Sequence, residues 1–284
     1  RTKLIGESKP EAGSIKLDYA FDGFELDTVA FPHGDSRLFI LQIDEHVTDE
    51  AAVYIKDEAP DLSWVYLEYT DDIGHAYGDS PEMVEAVGLA DAQIGRIWEA
   101  IQYREANFNE EWMIAVTTDH GRHPFNGKGH GGQTVRERLT WGVTNLSDLN
   151  ERFNDGLAVV DIYPTAINFI GIELPDAQKS ELDGVPFIGK ISLQSPQARY
   201  NQGVLSLTWK SIGSGNVELL YTDANEFAKG GTDEYTSLGK VSVGEGEFQT
   251  PLELKAGTYK FLLKGYNNWV NTWLTITDDQ TTNN

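Results

Sequence analysis

The period of the hydrophobic pattern changes near Lys190, and that change divides the chain. Before it, short apolar runs alternate with a long stretch of helical spacing. Residues 37–43, 62–70, 112–118 and 139–144 are dense in β-branched and aromatic side chains, the composition of buried strands. Between the second and third runs, Ser80-Pro81-Glu82 is a helix start, with an N-cap hydroxyl, proline at the first helical position and an early acid. Met83, Val87, Ala90, Ile94, Ile97 and Ile101 then recur at helical spacing and predict a face that packs on a sheet. This alternation predicts an α/β region over 1–190, a mostly parallel sheet with helices on both faces.

After Lys190 the runs shorten and alternate: 203–209, 217–221, 259–264 and 271–276, separated by Gly, Asn and Asp turns. Short strands at this spacing predict a C-terminal antiparallel β-sandwich over 191–284, of immunoglobulin or fibronectin type III character. Trp269 and Trp273 are candidates for a carbohydrate-stacking surface, with packing as the simpler use. The tail 281–284 reads as disordered.

Charge and composition narrow the partners. With 45 acidic against 22 basic residues the net charge is −23, which repels nucleic acid as a stable partner. Cysteine is absent, so disulfides are excluded and thiolate metal ligation with them. No stretch is apolar enough to span a bilayer, and no membrane association is expected. The balance suits a periplasmic or extracellular protein.

Three glycine-flanked segments carry the candidate chemistry: Asp71-Asp72-Ile73-Gly74-His75, Thr118-Asp119-His120-Gly121 and Gly129-His130-Gly131-Gly132. Carboxylate oxygen and neutral imidazole suit Zn²⁺ or Mn²⁺ where no thiolate is on offer. Asp71 and His75 stand four residues apart and can converge on one ion from a helical turn or a loop. Both Asp71 and the Asp119-His120 pair come directly after an apolar run, which puts them beyond strand ends, where open α/β sheets bind ligands. His123 competes with His130 as a ligand. Arg122 and Lys128 are candidates for binding a substrate's phosphate or sulfate oxygens, and Asp72 and Tyr77 for shaping the pocket. His33 and His46 read as surface or capping residues.

Together, Asp-x-x-Gly-His, then Thr-x-Asp-His-Gly, then a later histidine resemble the alkaline phosphatase superfamily, and within it the nucleotide pyrophosphatase/phosphodiesterase (type I phosphodiesterase) branch. Residues 160–172 and 182–187, the latter containing Asp183-Gly184-Val185-Pro186, resemble the helix and "DGxP" segment that close its catalytic domain. The resemblance implies a phosphoric ester hydrolase with two divalent ions, Zn expected and Mn the alternative, acting on a small phosphate ester. Carried over, Asp71, His75 and His130 hold one ion and Asp119 and His120 the other. The third histidine of the resemblance favours His130 over His123.

The family's remaining aspartate ligand and its Thr or Ser nucleophile have no counterpart; the run 40–44, ending in Asp44, is the nearest imitation and lies too close to Asp71. The expectation is that an N-terminal fragment of the same protein supplies both, that the N-terminal half of the domain has been removed, and that this chain alone is inactive. A sulfatase or a phosphomutase would share the ligand logic, and the short separation before His130 also resembles the phosphopentomutase-like branch. A non-catalytic module recognising glycans or a surface partner is the reading from another class.

Overall fold

The computed structural model describes Tyr19, Phe21, Val29 and residues 37–277. His33 and the tail 281–284 lie outside the described residues. The chain divides into two compact units, 1–141 and 142–284.

In the first unit, α1 (Leu38–Glu58) begins where the pattern predicts a strand. Seven apolar-rich residues are ambiguous by themselves, and the spacing of the buried positions decides. Ile43, Val47 and Ile55 are buried, with Asp44 and Thr48 beside them, and these positions share one helical face. A short helix α2 (Tyr69–Tyr77) precedes α3 (Pro81–Phe108), whose Ser80 hydroxyl accepts from the Met83 N–H as the sequence predicts. The buried stripe of α3 is Ala86, Gln93, Ile97, Ala100, Ile101 and Arg104. Its second half matches the expected stripe at Ile97 and Ile101, while its first half is rotated and leaves Val87 exposed. Ile55 of α1 meets Ile97, Ala100 and Ile101 of α3 in a small core.

Residues 62–68 carry no strand assignment. Their Val65 packs on the α1–α3 core together with Trp112 and Ile114, whereas Leu62 and Trp64 stay exposed. Strand-like composition here serves irregular chain packed on helices. Of the run 112–118, only β1 (Ala115–Thr117) is a strand, and α4 (Val135–Arg138) closes the unit.

The second unit opens with β2 (Gly142–Thr144), α5 (Glu151–Asn154), a 3₁₀ turn at Val159–Asp161, α6 (Ile162–Ile170) and α7 (Asp176–Lys179). Asp161 is fully buried and is the knot of this segment. Its carboxylate accepts from the Arg152 guanidinium at 2.8 Å, the Ala158 N–H at 2.8 Å and the Val185 N–H at 2.7 Å. The Thr165 hydroxyl donates to the Asp161 carbonyl and accepts from the Phe187 N–H. Residues 160–165 and 183–187 are therefore one structure. A Cβ on Gly184 would lie 2.0 Å from the Val160 carbonyl oxygen, which fixes glycine in the Asp-Gly-Val-Pro sequence.

Seven strands complete the unit: β3 (Leu193–Asn201), β4 (Val204–Ser211), β5 (Asn216–Thr222), β6 (Thr236–Ser242), β7 (Glu247–Pro251), β8 (Gly257–Lys264) and β9 (Trp269–Ile276). They form an antiparallel sheet of order β3-β4-β7 and another of order β6-β5-β8-β9. Leu205, Leu207 and Trp209 from the first sheet and Val217, Leu219, Phe261, Leu263 and Val270 from the second share one buried core. The four strands expected after 190 are β4, β5, β8 and β9. Strands β3, β6 and β7 give a weak apolar signal because polar residues dominate them, as in Gln194, Gln197, Arg199 and Asn201 of β3.

Helices with antiparallel sheets are thus what the described residues show, and the expected mostly parallel sheet is not among their elements. Trp269 and Trp273 lie on β9 beside cations, Lys264 Nζ standing 4.2 Å from the Trp269 ring centre and Lys260 Nζ 5.3 Å from that of Trp273. On the same sheet, Asn271 donates to the carbonyls of Ser180 and Leu182, and Lys260 pairs with Glu181 at 2.6 Å. The turn after α7 therefore covers that face of the sheet.

Candidate metal centre

The site is built in the first unit, on α2 and two loop segments between β1 and α4. The start of α2 is set by Asp44, whose carboxylate accepts from the Glu68 N–H at 2.9 Å and the Tyr69 N–H at 2.7 Å. These are amide groups that a helix start leaves without intrahelical partners. Burial pushes the Asp44 carboxyl above the usual aspartate range, and the two N–H donors oppose that shift. The residue that imitates a missing metal ligand is therefore a long-range cap, one helix away from the residues it orders.

Within α2, positions i and i+4 fall on one face, so Asp71 and His75 point the same way. The His75 Nε2 lies 3.4 Å from Asp71 Oδ2. Arg122 crosses the first turn of this helix, donating from Nη2 to the carbonyls of Thr70 at 3.3 Å and Asp71 at 2.8 Å. Gly74 makes that crossing possible, since a Cβ there would stand 2.3 Å from the guanidinium carbon. The neighbouring Asp72 pairs with Arg37. Tyr77 is exposed at the end of the helix.

The second loop leaves β1 and presents Asp119, His120 and Arg122. The His120 Nδ1 lies 2.8 Å from the Gly121 carbonyl oxygen. A carbonyl only accepts, so Nδ1 carries the proton and a neutral ring keeps a lone pair on Nε2, the form a metal ligand needs. The third loop brings His130 back over the helix. His130 Nε2 lies 3.0 Å from His75 Nε2 and 3.7 Å from Asp71 Oδ1, and the His120 and His130 rings stack with centres 3.7 Å apart. His123 is turned onto Phe125, with ring centres 5.4 Å apart, and does not join them. His46 is exposed on α1.

These separations test whether a metal fits. Two ligands about 2.0–2.1 Å from a tetrahedral zinc stand roughly 3.3 Å from one another. His75 Nε2 lies 3.0 Å from His130 Nε2 and 3.4 Å from Asp71 Oδ2, His130 Nε2 lies 3.7 Å from the other carboxylate oxygen, Oδ1, and each residue offers one donor atom within 4.8 Å of the others. Asp71 Oδ1 is buried without a hydrogen bond. Arg122 Nη2 pairs with it at 2.7 Å while donating to the main-chain carbonyls of Thr70 and Asp71. Asp71 oxygens beside the Nε2 atoms of His75 and His130 are the donor types that suit Zn²⁺ or Mn²⁺. The donor set therefore fits a divalent metal.

The second pair is less enclosed. His120 Nε2 stands 3.5 Å from Asp119 Oδ1 and 3.6 Å from Asp71 Oδ1, while the Asp119 side chain is 66% exposed. Asp71 thus lies between the two groups. Lys128 is exposed, and Arg122, 14% exposed, serves first as a brace on α2.

A bracing layer lies behind the ligands, beyond the reach of the three motifs. Arg136 of α4 grips Asp79 with two hydrogen bonds, the longer 2.8 Å, and donates to the His123 carbonyl. This ion pair holds the Asp79 carboxyl below the usual aspartate range. Glu137 accepts from the Gly132 N–H and from Thr134, closing a capping box. The pattern Thr134-x-x-Glu137 is a legible sequence signal for such a cap.

Asp71, His75 and His130, brought together at helix α2, form a candidate metal site. The chain belongs to the type I phosphodiesterase/nucleotide pyrophosphatase family, whose family model matches residues 16–188. It is also similar to the 2,3-bisphosphoglycerate-independent phosphoglycerate mutase of Natronomonas pharaonis, with 29% identity over 139 residues, 48% of this chain. The matched part is 26% of that relative, so the chain spans about a quarter of its length.

Proposed function

We propose that this chain carries the metal-binding site of a phosphoric ester hydrolase, with Asp71, His75 and His130 holding one divalent ion and Asp119 and His120 contributing to a second. The observation that carries the reading is the convergence of Asp71, His75 and His130 within 4.8 Å, inside the segment that matches the family. Zn²⁺ suits the nitrogen-rich set, and Mn²⁺ is the alternative. Metal bound there would supply Lewis acidity and charge neutralisation at a phosphoryl group.

The protein's own part is orientation. Arg122 fixes the carbonyl and carboxylate of Asp71, leaving Asp71 Oδ2 beside His75. The Gly121 carbonyl selects the His120 tautomer that exposes Nε2. Lys128, exposed on the same loop as His130, is the side chain in this reading that meets an incoming phosphate oxygen.

The family match ends at residue 188, close to the change of pattern at 190, and this supports 1–190 as the phosphodiesterase part. The three-strand and four-strand sheets after it fit a seven-strand sandwich of the immunoglobulin or fibronectin type. Tyr259, near the start of β8, supports the same reading by bonding its hydroxyl to the Lys255 backbone, as a tyrosine corner does. An exported setting belongs to this proposal and is tested by cell fractionation.

Titration of the purified chain with Zn²⁺ and Mn²⁺ tests the reading, with inorganic phosphate added afterwards. Metal should bind to wild type and not to His75→Ala, and phosphate should bind only the loaded protein. Phosphate binding that ignores metal would overturn it. The relative named a mutase favours one second reading, phosphoryl transfer at the same site. Formation of 2-phosphoglycerate from 3-phosphoglycerate without phosphate release, monitored by ³¹P NMR, would select it.

A further inference from the structure

We propose that Glu137 is the positioning residue of this centre, fixing from one helical turn both loops that deliver imidazoles. The proposal rests on the reading that His120 and His130 face a metal. The main-chain carbonyl of Glu137 accepts from the Gly121 N–H at 2.8 Å, directly after His120. Its carboxylate Oε1 accepts from the Gly132 N–H at 3.1 Å, two residues after His130. The other oxygen, Oε2, accepts from the Thr134 hydroxyl at 2.6 Å and the Thr134 N–H at 3.3 Å.

A capping box alone would need only Thr134. The bond to Gly132 reaches past the box into the loop that carries His130. Glu137 is 6% exposed, and among the described residues its charge is met by N–H and O–H donors and not by an ion pair. A buried carboxylate is tolerated only while such donors stay in place, so its charge enforces the loop geometry.

Both anchored glycines are closely approached, Gly121 by main chain and Gly132 by the Glu137 carboxylate. A Cβ on Gly121 would stand 1.9 Å from the Arg136 carbonyl oxygen, and one on Gly132 would stand 2.5 Å from Glu137 Oε2. The loops are therefore pressed against α4 at the two points where Glu137 holds them. The hydrogen bond of the Thr134 hydroxyl keeps the Glu137 carboxyl below the usual glutamate range, consistent with an ionised brace at neutral pH.

The test combines metal titration with amide hydrogen exchange on the metal-free full chain. Removal of an outer partner of metal ligands typically costs about 10–100-fold in affinity. Glu137→Ala should show such a loss in Zn²⁺ affinity and faster exchange at Gly121 and Gly132. Glu137→Gln retains one carbonyl acceptor and should recover part of both. Ser80→Ala removes the cap of α3 and should leave Zn²⁺ affinity unchanged, which separates positioning from general loss of stability. Wild-type affinity and exchange in Glu137→Ala would overturn the proposal, as would an equal loss in Ser80→Ala. If Glu137→Ala does not fold, Glu137→Gln against wild type gives the same decision. Should wild type take up no metal, the metal reading fails by itself, and exchange at Gly132 decides whether Glu137 positions the loop.

Discussion

The site-bearing unit and the strand-rich unit are held together by different means. Among the described residues, one buried cluster of the strand-rich unit contains sixteen hydrophobic residues, whereas the α1–α3 cluster of the first unit contains four. The first unit compensates with directed polar contacts: Asp44 on the start of α2, Arg122 across it, Arg136 on Asp79, and Glu137 on two loops. Apolar burial stabilises in bulk without fixing orientation, while hydrogen bonds with definite geometry aim individual side chains. A set of ligands that must converge within a few ångströms calls for the second kind.

Glycine shows the same division. Gln202 and Gly203, both at positive φ, form the two-residue turn between β3 and β4, where conformation alone demands the residues. Gly121 is needed because a backbone oxygen occupies the place of its side chain.

Truncation in the sheets should do the most damage. Phe261, fully buried in the shared core, should lose about 3–5 kcal/mol of folding stability on truncation to alanine, read by urea denaturation. Zn²⁺ affinity of the folded chain should be unaffected. A parallel fall in affinity would break the division between bulk burial and directed contacts.

Next in size is Gly121→Ala, which must displace the main chain of Arg136. It should cost roughly 1–3 kcal/mol, a typical penalty for a strained core position, and weaken metal binding as well. Gly88→Ala in α3, where an added Cβ meets nothing within 4 Å, should instead stabilise by up to about 1 kcal/mol. Equal behaviour of the two glycines in thermal melts would refute close approach as the reason for Gly121.

Ser80→Ala should lower stability by about 1 kcal/mol through loss of the α3 cap. The smallest effect is electrostatic and lies in the second unit. Lys210, bonded to Asp155, holds its carboxyl below the usual aspartate range. A depressed carboxyl pKa adds stability above the unfolded value, and that stability is lost as pH falls through the folded value. Asp155→Asn should therefore melt slightly below wild type at neutral pH and together with it in acid below the depressed aspartate range. A difference that persists in acid would assign the effect to packing.

The candidate ligands were legible because chemistry restricts them: few residue types bind zinc, Asp71, His75, Asp119, His120 and His130 stand among glycines, and the structure brings Asp71, His75 and His130 together. The sheet was less so. Strand composition at 37–43 gave way to helix α1 because the burial at Val47 and Ile55 continues with helical spacing, and composition at 62–68 gave irregular chain on a helical core. Asp44 was invisible as a cap because it acts on an N–H 24 residues away. Glu137 was visible only as half of a capping box, and its reach to Gly132 depends on the path of the loop.

The proposed function of the first unit depends on Asp71, His75 and His130 forming a divalent metal site. Metal analysis of the purified chain after Zn²⁺ loading and dialysis, beside His75→Ala, puts that dependence to the test. Stoichiometric metal in wild type and its loss in the variant are expected. Equal metal content in the two proteins, or none in wild type, would rule the site out.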